Sequence, residues 1–139
     1  MTDDSYNDLQ QSYGRCLRDK QFIEHFYQTF MASHPAIPGL FARTDMQKQY
    51  FALRHGISVA ILHAAGSRIV QRTTERMADV HGEAGRCPVA PELYPYWIDS
   101  LLKVIAETDP DATPALLARW REAMGVVTRI FAQRYTDRA

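Results

Sequence analysis

Residues 20–41 of the chain read KQFIEHFYQTFMASHPAIPGLF. Its first part, residues 20–33, places apolar side chains at helical spacing, which predicts a helix with one broad apolar face. Tyr27 lies at the edge of that face. Two prolines and a glycine within residues 34–39 predict that the helix ends there in a tight corner. Phe41 stands just past the corner.

The flanking sequence continues the helical pattern, while alternation with a period of two is nearly absent. Asp45 is expected to cap a helix that Gly66 ends. Further helices are expected over residues 3–18, over residues 68–81, along Leu93 to Ile105, and along Leu116 to Phe131, with a loop at 82–91 and a break at 109–111. The sequence therefore predicts an all-α protein with a single domain over residues 1–139.

One face of the helix that follows Asp45 is unusual. It carries Gln49, Leu53, Gly56, Ala60 and His63 at helical spacing. An ordinary core face would be uniformly apolar, whereas this one begins with an amide and then narrows to two small residues. We expect a flat group or another helix to approach closely at Gly56 and Ala60.

Composition and charge exclude several classes of protein. Hydrophobic residues make up 46% of the 139-residue chain, which is ordinary for a globular protein and argues against disorder. The formal net charge is +0 and the arginines are scattered, so no basic stripe indicates a nucleic-acid partner. The acidic, polar start is unlike a signal peptide, and no apolar run approaches the roughly 20 residues that span a bilayer. We expect a soluble cytoplasmic protein with no membrane partner.

The two cysteines, Cys16 and Cys87, form no C-x-x-C pair and no zinc pattern. They are expected to be reduced cytosolic thiols. The C-x-x-C-H motif is also absent, so the chain lacks the pattern by which two cysteines attach a cofactor covalently.

Five blocks of sequence occur in a specific order from about residue 20 to residue 134. They are His25-Phe26-Tyr27 with His34-Pro35 and Phe41; Gln49 with Ala52-Leu53 and Ile57; Ala78-Asp79-Val80-His81; Pro91-Glu92-Leu93-Tyr94 with Leu101-Leu102; and Trp120, Gly125, Phe131 and Arg134. In these blocks the chain resembles a bacterial single-domain globin and is similar to the haem domain of flavohaemoglobins.

The resemblance implies a globin fold of about seven helices around a pocket for haem b. It also implies a role for each of six residues: His81 as the proximal iron ligand, Phe41 packed on the haem ring, Tyr27 and Gln49 as distal hydrogen-bond donors, Leu53 as the aliphatic wall above the iron, and Tyr94 beside the proximal histidine. The side-chain chemistry agrees. A neutral imidazole is a good ligand for haem iron, and a phenol O–H and an amide N–H suit a diatomic ligand that gains negative charge.

Each of these residues also has a plainer interpretation when it is considered alone. His81 could face solvent at a helix end, and Tyr27 could be a tyrosine at the edge of the core. Gln49 could lie on the surface, and Phe41 could be ordinary core.

The resemblance favours reversible binding of O₂ or another diatomic gas, such as CO or NO. One alternative is oxidation of NO to nitrate with electrons from a separate reductase, and another is a globin-fold gas or redox sensor. Three departures from the family pattern bear on this choice. No reductase domain is expected in the chain, the loop between His81 and Tyr94 is about three residues longer, and Tyr135 replaces an acidic residue that would make the proximal imidazole more basic. The oligomeric state stays open.

Overall fold

The computed structural model describes residues 5–81 and 89–137, and within these ranges the chain is built from seven α-helices with no strand. One short 3₁₀ turn, Pro91–Leu93, precedes the sixth helix. The helices in chain order are α1 (Asn7–Cys16), α2 (Phe22–Ser33), α3 (Ile37–Leu40), α4 (Met46–Ala64), α5 (Gln71–His81), α6 (Tyr94–Thr108) and α7 (Pro114–Asp137). The prediction of an all-α protein is confirmed.

Both ends of α4 follow from local chemistry. Oδ1 of Asp45 accepts hydrogen bonds from the backbone N–H groups of Gln47 and Lys48, at 3.1 and 3.4 Å, as an N-cap does. At the other end Gly66 adopts a φ of 86°, a left-handed conformation that glycine reaches without steric cost. Its N–H donates to the carbonyl of His63 at 2.9 Å, so the cap and the stop predicted from the sequence are both confirmed.

Other predicted bounds differ by a few residues. The first helix was expected over residues 3–18 but is Asn7–Cys16, and residues 1–4 lie outside the described part. The second helix begins at Phe22 rather than at residue 20, because the Asp19 carboxylate accepts a hydrogen bond from the backbone N–H of Gln21 and holds a turn there.

The corner and the next helix also deviate. The corner expected over residues 34–39 contains the start of the four-residue helix α3, with Pro38 in its first turn. The helix expected over residues 68–81 begins at Gln71, and the loop expected over 82–91 lies mostly outside the described residues.

The core lies where α2 packs on α6 and where α7 packs on α4 and α5. Trp120 of α7 is fully buried near its centre, with its ring 6.2 Å from that of Tyr13 in edge-to-face contact. Burying a side chain of this size is worth roughly 2–3 kcal/mol or more, so the apolar faces hold the helices together. Trp97, Leu116 and Ile130 are half-buried at the margin of this core.

The break at 109–111 has a second function. Asp109 ends α6, and its side chain is completely buried. It accepts hydrogen bonds from Ser12 Oγ at 2.6 Å and from Arg15 Nε at 2.6 Å, both in α1. Trp120 of α7 in turn donates from Nε1 to Ser12 Oγ at 3.0 Å. This Asp109 network joins α1, the α6–α7 corner and α7.

Among the described helices, none combines the length and the hydropathy needed to cross a bilayer.

Candidate functional site

Tyr27 is buried in α2, at 3% exposure, because the apolar face of that helix turns it toward the interior. Its ring is held by neighbours on two sides. The Phe41 ring lies 5.5 Å away in edge-to-face contact, and the Tyr50 ring lies 5.4 Å away at 40°. Contacts of this kind fix the direction in which the phenol hydroxyl points.

Gln49, from the first turn of α4, reaches the same hydroxyl. Its side-chain nitrogen Nε2 donates a hydrogen bond to Tyr27 Oη at 2.9 Å. Burial raises the pKa of Tyr27, although the hydrogen bond from Gln49 acts in the opposite direction. The phenol therefore keeps its proton at neutral pH. Because Gln49 occupies one lone pair of the oxygen, the phenol hydrogen stays available to donate elsewhere.

Phe41 and Leu53 border this tyrosine–glutamine pair. Phe41 caps the end of α3, is half-buried, and also contacts the Phe30 ring at 6.3 Å. Leu53 lies one turn after Gln49 on α4 and packs against the core cluster while staying half-buried. The sequence-predicted distal residues are therefore gathered by α2, the corner and α4.

His81 is the last residue of α5. Its Nδ1 lies 2.8 Å from the backbone carbonyl oxygen of Met77, one turn earlier. A carbonyl can only accept, so Nδ1 carries the hydrogen and, in the neutral ring, Nε2 keeps its lone pair. Burial lowers the pKa of His81, and its hydrogen bond to Met77 offsets part of that effect. The ring is therefore neutral at pH 7, with one nitrogen prepared to bind a metal.

One face of the His81 ring packs against α7. The ring of Phe131 lies 5.3 Å from the imidazole, at an interplanar angle of 21°, in a stacked arrangement. Tyr94, the first residue of α6, contacts the same phenylalanine edge-to-face at 6.0 Å. Tyr94 therefore reaches the surroundings of His81 through Phe131.

The Tyr94 hydroxyl is buried and has no hydrogen-bond partner among the described residues. Burial raises its pKa, and the nearby phenol of Tyr135 raises it further. Among the described residues, no carboxylate bonds to the Tyr94 hydroxyl or to Nδ1 of His81. Nδ1 of His81 donates its hydrogen to the neutral backbone carbonyl of Met77.

α4, which carries Gln49 and Leu53, packs against α5, which carries His81. A Cβ atom added to Gly56 would lie 3.3 Å from Cε of Met77. Leu53 lies about one turn before Gly56 in α4, and His81 lies about one turn after Met77 in α5. Both residues are therefore on the side of this contact that is away from the loop joining the two helices. The group that lies beside Gly56 is thus a side chain of a neighbouring helix, while a close approach of a helix or a flat group at Gly56 and Ala60 stays a prediction.

The sequence predicted no role in the site for three of its residues. Tyr50 follows Gln49 directly, so its presence beside Tyr27 could have been suspected from α4 alone. Phe131 was expected only as part of the apolar face of α7, and Met77 carried no signal, because it acts through its backbone carbonyl.

The remaining histidines take other positions. His55 is exposed, and His63 is half-buried near the end of α4. Nδ1 of His34 accepts a hydrogen bond from the backbone N–H of Ala36 at 3.0 Å. Of the two cysteines, Cys16 is fully buried, which raises its pKa to about 12, and Cys87 lies outside the described residues.

No protein-family model matches the chain, and no curated protein matches it. Among solved structures, the chain is similar to a crystal structure from Pseudomonas aeruginosa PAO1, of a protein described as structurally highly homologous to a human hemoglobin. The two sequences are 34% identical, the match covers 95% of this chain and 98% of the other, and the TM-score is 0.89. Identity at this level extends over almost the whole of both chains, so the shared fold reflects common ancestry. The chain belongs to the globin family.

Proposed function

We propose that this globin holds haem b non-covalently through His81 and reversibly binds O₂ or another diatomic gas, such as CO or NO. The observation that carries the proposal is the hydrogen bond from Gln49 to the buried Tyr27 hydroxyl. It leaves the proton of a well-held phenol free to meet a ligand, which a purely structural tyrosine in the core would not need.

The donor set fits haem. His81 offers a neutral ring whose Nδ1 is bound to the Met77 carbonyl, which is the tautomer that coordinates iron through Nε2. When bound, haem supplies the iron at which a diatomic gas coordinates. The half-buried Phe41 and Leu53 would line the pocket with apolar surface and keep water from the ligand.

Tyr27 would act by donating its hydrogen to a ligand that carries partial negative charge. A hydrogen bond to a charged partner contributes about 1.5–3 kcal/mol, which is enough to slow ligand escape by roughly tenfold to a hundredfold. Gln49 would hold the phenol in place and would add a second N–H group at the same position. Because Tyr27 keeps its proton at neutral pH, this donor is present under ordinary conditions.

The proximal side favours binding over oxidation of NO. Among the described residues, Nδ1 of His81 bonds to a neutral carbonyl, and Tyr94 has no carboxylate partner. An imidazole without an anionic partner donates less electron density, which suits a reversible carrier better than an oxidising enzyme. The likeness to flavohaemoglobins, the separate reductase, the sensor alternative and the cytoplasmic location remain predictions.

The proposal is tested by the visible spectrum of the purified ferrous protein and of His81→Ala. We expect a Soret band that shifts when CO or O₂ is added, and we expect His81→Ala to lose most of its haem or to regain a five-coordinate spectrum only with added imidazole. The control is His55→Ala, which removes an exposed histidine from α4.

A colourless wild-type protein grown with ample haem would refute the proposal, as would a His81→Ala spectrum identical to that of the wild type. Formation of many equivalents of nitrate per haem, when NO is added in air together with an electron donor that re-reduces the ferric protein, would favour the oxidising alternative instead.

A further inference from the structure

We propose that Phe131 sets the rotation of the His81 ring about its Cβ–Cγ bond, and thereby the orientation of the proximal imidazole plane against the porphyrin. This inference rests on the proposed function, since it takes His81 to be the iron ligand. It gives α7 a direct part in the properties of the iron.

The ring of a histidine turns easily about the Cβ–Cγ bond, because torsions of this kind have broad minima. In this protein two contacts restrict it. The hydrogen bond from Nδ1 to the Met77 carbonyl, at 2.8 Å, fixes the direction of one ring edge. The Phe131 ring lies nearly parallel to the imidazole, at 21° and 5.3 Å, and keeps the imidazole from turning toward that side.

Phe131 is itself held firmly. It is buried to 7% exposure, and the edge of the Tyr94 ring packs against it at 6.0 Å. A flat side chain with two ring neighbours cannot turn away at little cost. The stacking surface that it presents to His81 is therefore fixed by α6 as well as by α7.

An ion pair also joins α7 to α5 close to the stacked rings. Arg134 Nη1 lies 3.1 Å from Asp79 Oδ1, and both side chains are about one-third exposed at 35%. Asp79 precedes His81 by two residues, and Arg134 follows Phe131 by three. The ion pair and the stack therefore lie side by side on the same two helices and depend on the same docking of α7 on α5.

The orientation of the imidazole plane has a specific spectroscopic signature. In low-spin ferric haem the ligand plane determines how unpaired electron density is spread over the four pyrroles. The proton hyperfine shifts of the four haem methyl groups therefore report the ring orientation. A residue that merely fills core volume would not alter them.

The test is proton NMR of the haem-loaded, cyanide-bound ferric protein, compared with Phe131→Leu. Leucine keeps the apolar volume but has no flat face. We expect the order of the four methyl shifts to change, or their spread to narrow, as the imidazole samples more orientations. Phe131→Tyr, which keeps the flat face, should retain the wild-type order.

The matched control is Phe22→Leu, which removes another buried ring that packs on Tyr13 instead of on His81. It should leave the methyl shifts as in the wild type. If Phe131→Leu does not retain haem, Phe131→Met takes its place in the comparison.

Wild-type methyl shifts in the Phe131 variant, with a normal Soret band, would overturn the inference and leave the proposed function intact. Failure of the proposed function would instead appear as a missing Soret band or as an unaffected His81→Ala spectrum.

Discussion

At the scale of single residues, the function proposed for this globin depends on which way hydrogen bonds run. Gln49 donates to Tyr27, so the phenol oxygen accepts from the amide and the phenol hydrogen is left to donate to another group. The reverse arrangement would use up the phenol hydrogen on the amide oxygen. Burial keeps the phenol protonated, since it raises the pKa of Tyr27.

Tyr27→Phe should speed O₂ dissociation by roughly tenfold to a hundredfold, because it removes one hydrogen bond to a charged partner while the ring contacts with Phe41 and Tyr50 stay. Dissociation of CO, a poorer acceptor, should change much less. Stopped-flow displacement of each gas measures both rates.

The control for this substitution is Tyr50→Phe, which removes a hydroxyl from the neighbouring ring and should leave both rates nearly unchanged. An O₂ dissociation rate in Tyr27→Phe within a factor of two of the wild type would contradict the role of the phenol.

At the scale of elements, the packing of α4 on α5 positions the helix of Gln49 and Leu53 relative to the helix of His81. A Cβ atom added to Gly56 would meet the terminal methyl of Met77 at 3.3 Å. A methionine end can shift by a few tenths of an ångström, whereas a helix backbone cannot. Small and large substitutions at Gly56 should therefore have effects of opposite sign.

Gly56→Ala should raise the free energy of unfolding by about 0.5–1 kcal/mol, because alanine favours a helix interior and Met77 can yield. Gly56→Ile should lower it by about 1–3 kcal/mol, since the branched chain would push α5 away. Urea unfolding followed by circular dichroism measures both changes.

Gly14→Ala serves as the control for Gly56→Ala, because Gly14 lies in α1 with nothing within 4 Å of an added Cβ. It should show the gain in helix propensity alone. If Gly56→Ala were less stable than the wild type while Gly14→Ala were more stable, Met77 would not be able to move as we expect.

At the scale of the whole molecule, the Asp109 network joins segments that are distant in the sequence. Its hydrogen bonds to Ser12, Arg15 and the backbone of Asp111 are made by a carboxylate with no exposed surface. A buried charge of this kind is stable only while all its partners remain. The network therefore determines how α1 sits on the α6–α7 corner.

Asp109→Asn should lower the free energy of unfolding at pH 7 by about 3 kcal/mol, because Arg15 loses its buried partner. In the wild type, the hydrogen bonds from Arg15 lower the pKa of Asp109 from 3.8 to about 2. The folded state then binds the proton less readily than the unfolded state does. The contribution of this pKa difference to the free energy of unfolding is roughly 2 kcal/mol. It is present above pH 4 and is lost as the pH falls toward 2.

Urea unfolding between pH 2 and pH 7 tests this prediction, and Asp109→Asn should show a flatter acid dependence than the wild type. Asp99→Asn is the control, since the Asp99–Arg121 pair is more than half exposed and should contribute less than about 1 kcal/mol. Equal losses in the two variants would rule out a special role for Asp109.

The sequence by itself determined the all-α class, the cap at Asp45 and the stop at Gly66. Those signals act within a few residues, through a carboxylate that meets nearby N–H groups and a glycine that reaches positive φ. It also predicted which side chains belong to the candidate pocket, by their order along the chain. That the chain forms one domain over residues 1–139, and what each of these residues does there, stay predictions.

Tertiary structure alone decided the partners within the site. The hydrogen bond between Gln49 and Tyr27, which are 22 positions apart, forms only because α2 and α4 pack against each other. The stack of Phe131 on His81 depends on how α7 docks on α5, and it has no counterpart in local sequence. Helix ends are set by bonds between near neighbours, whereas such contacts arise only after distant apolar faces have been buried together.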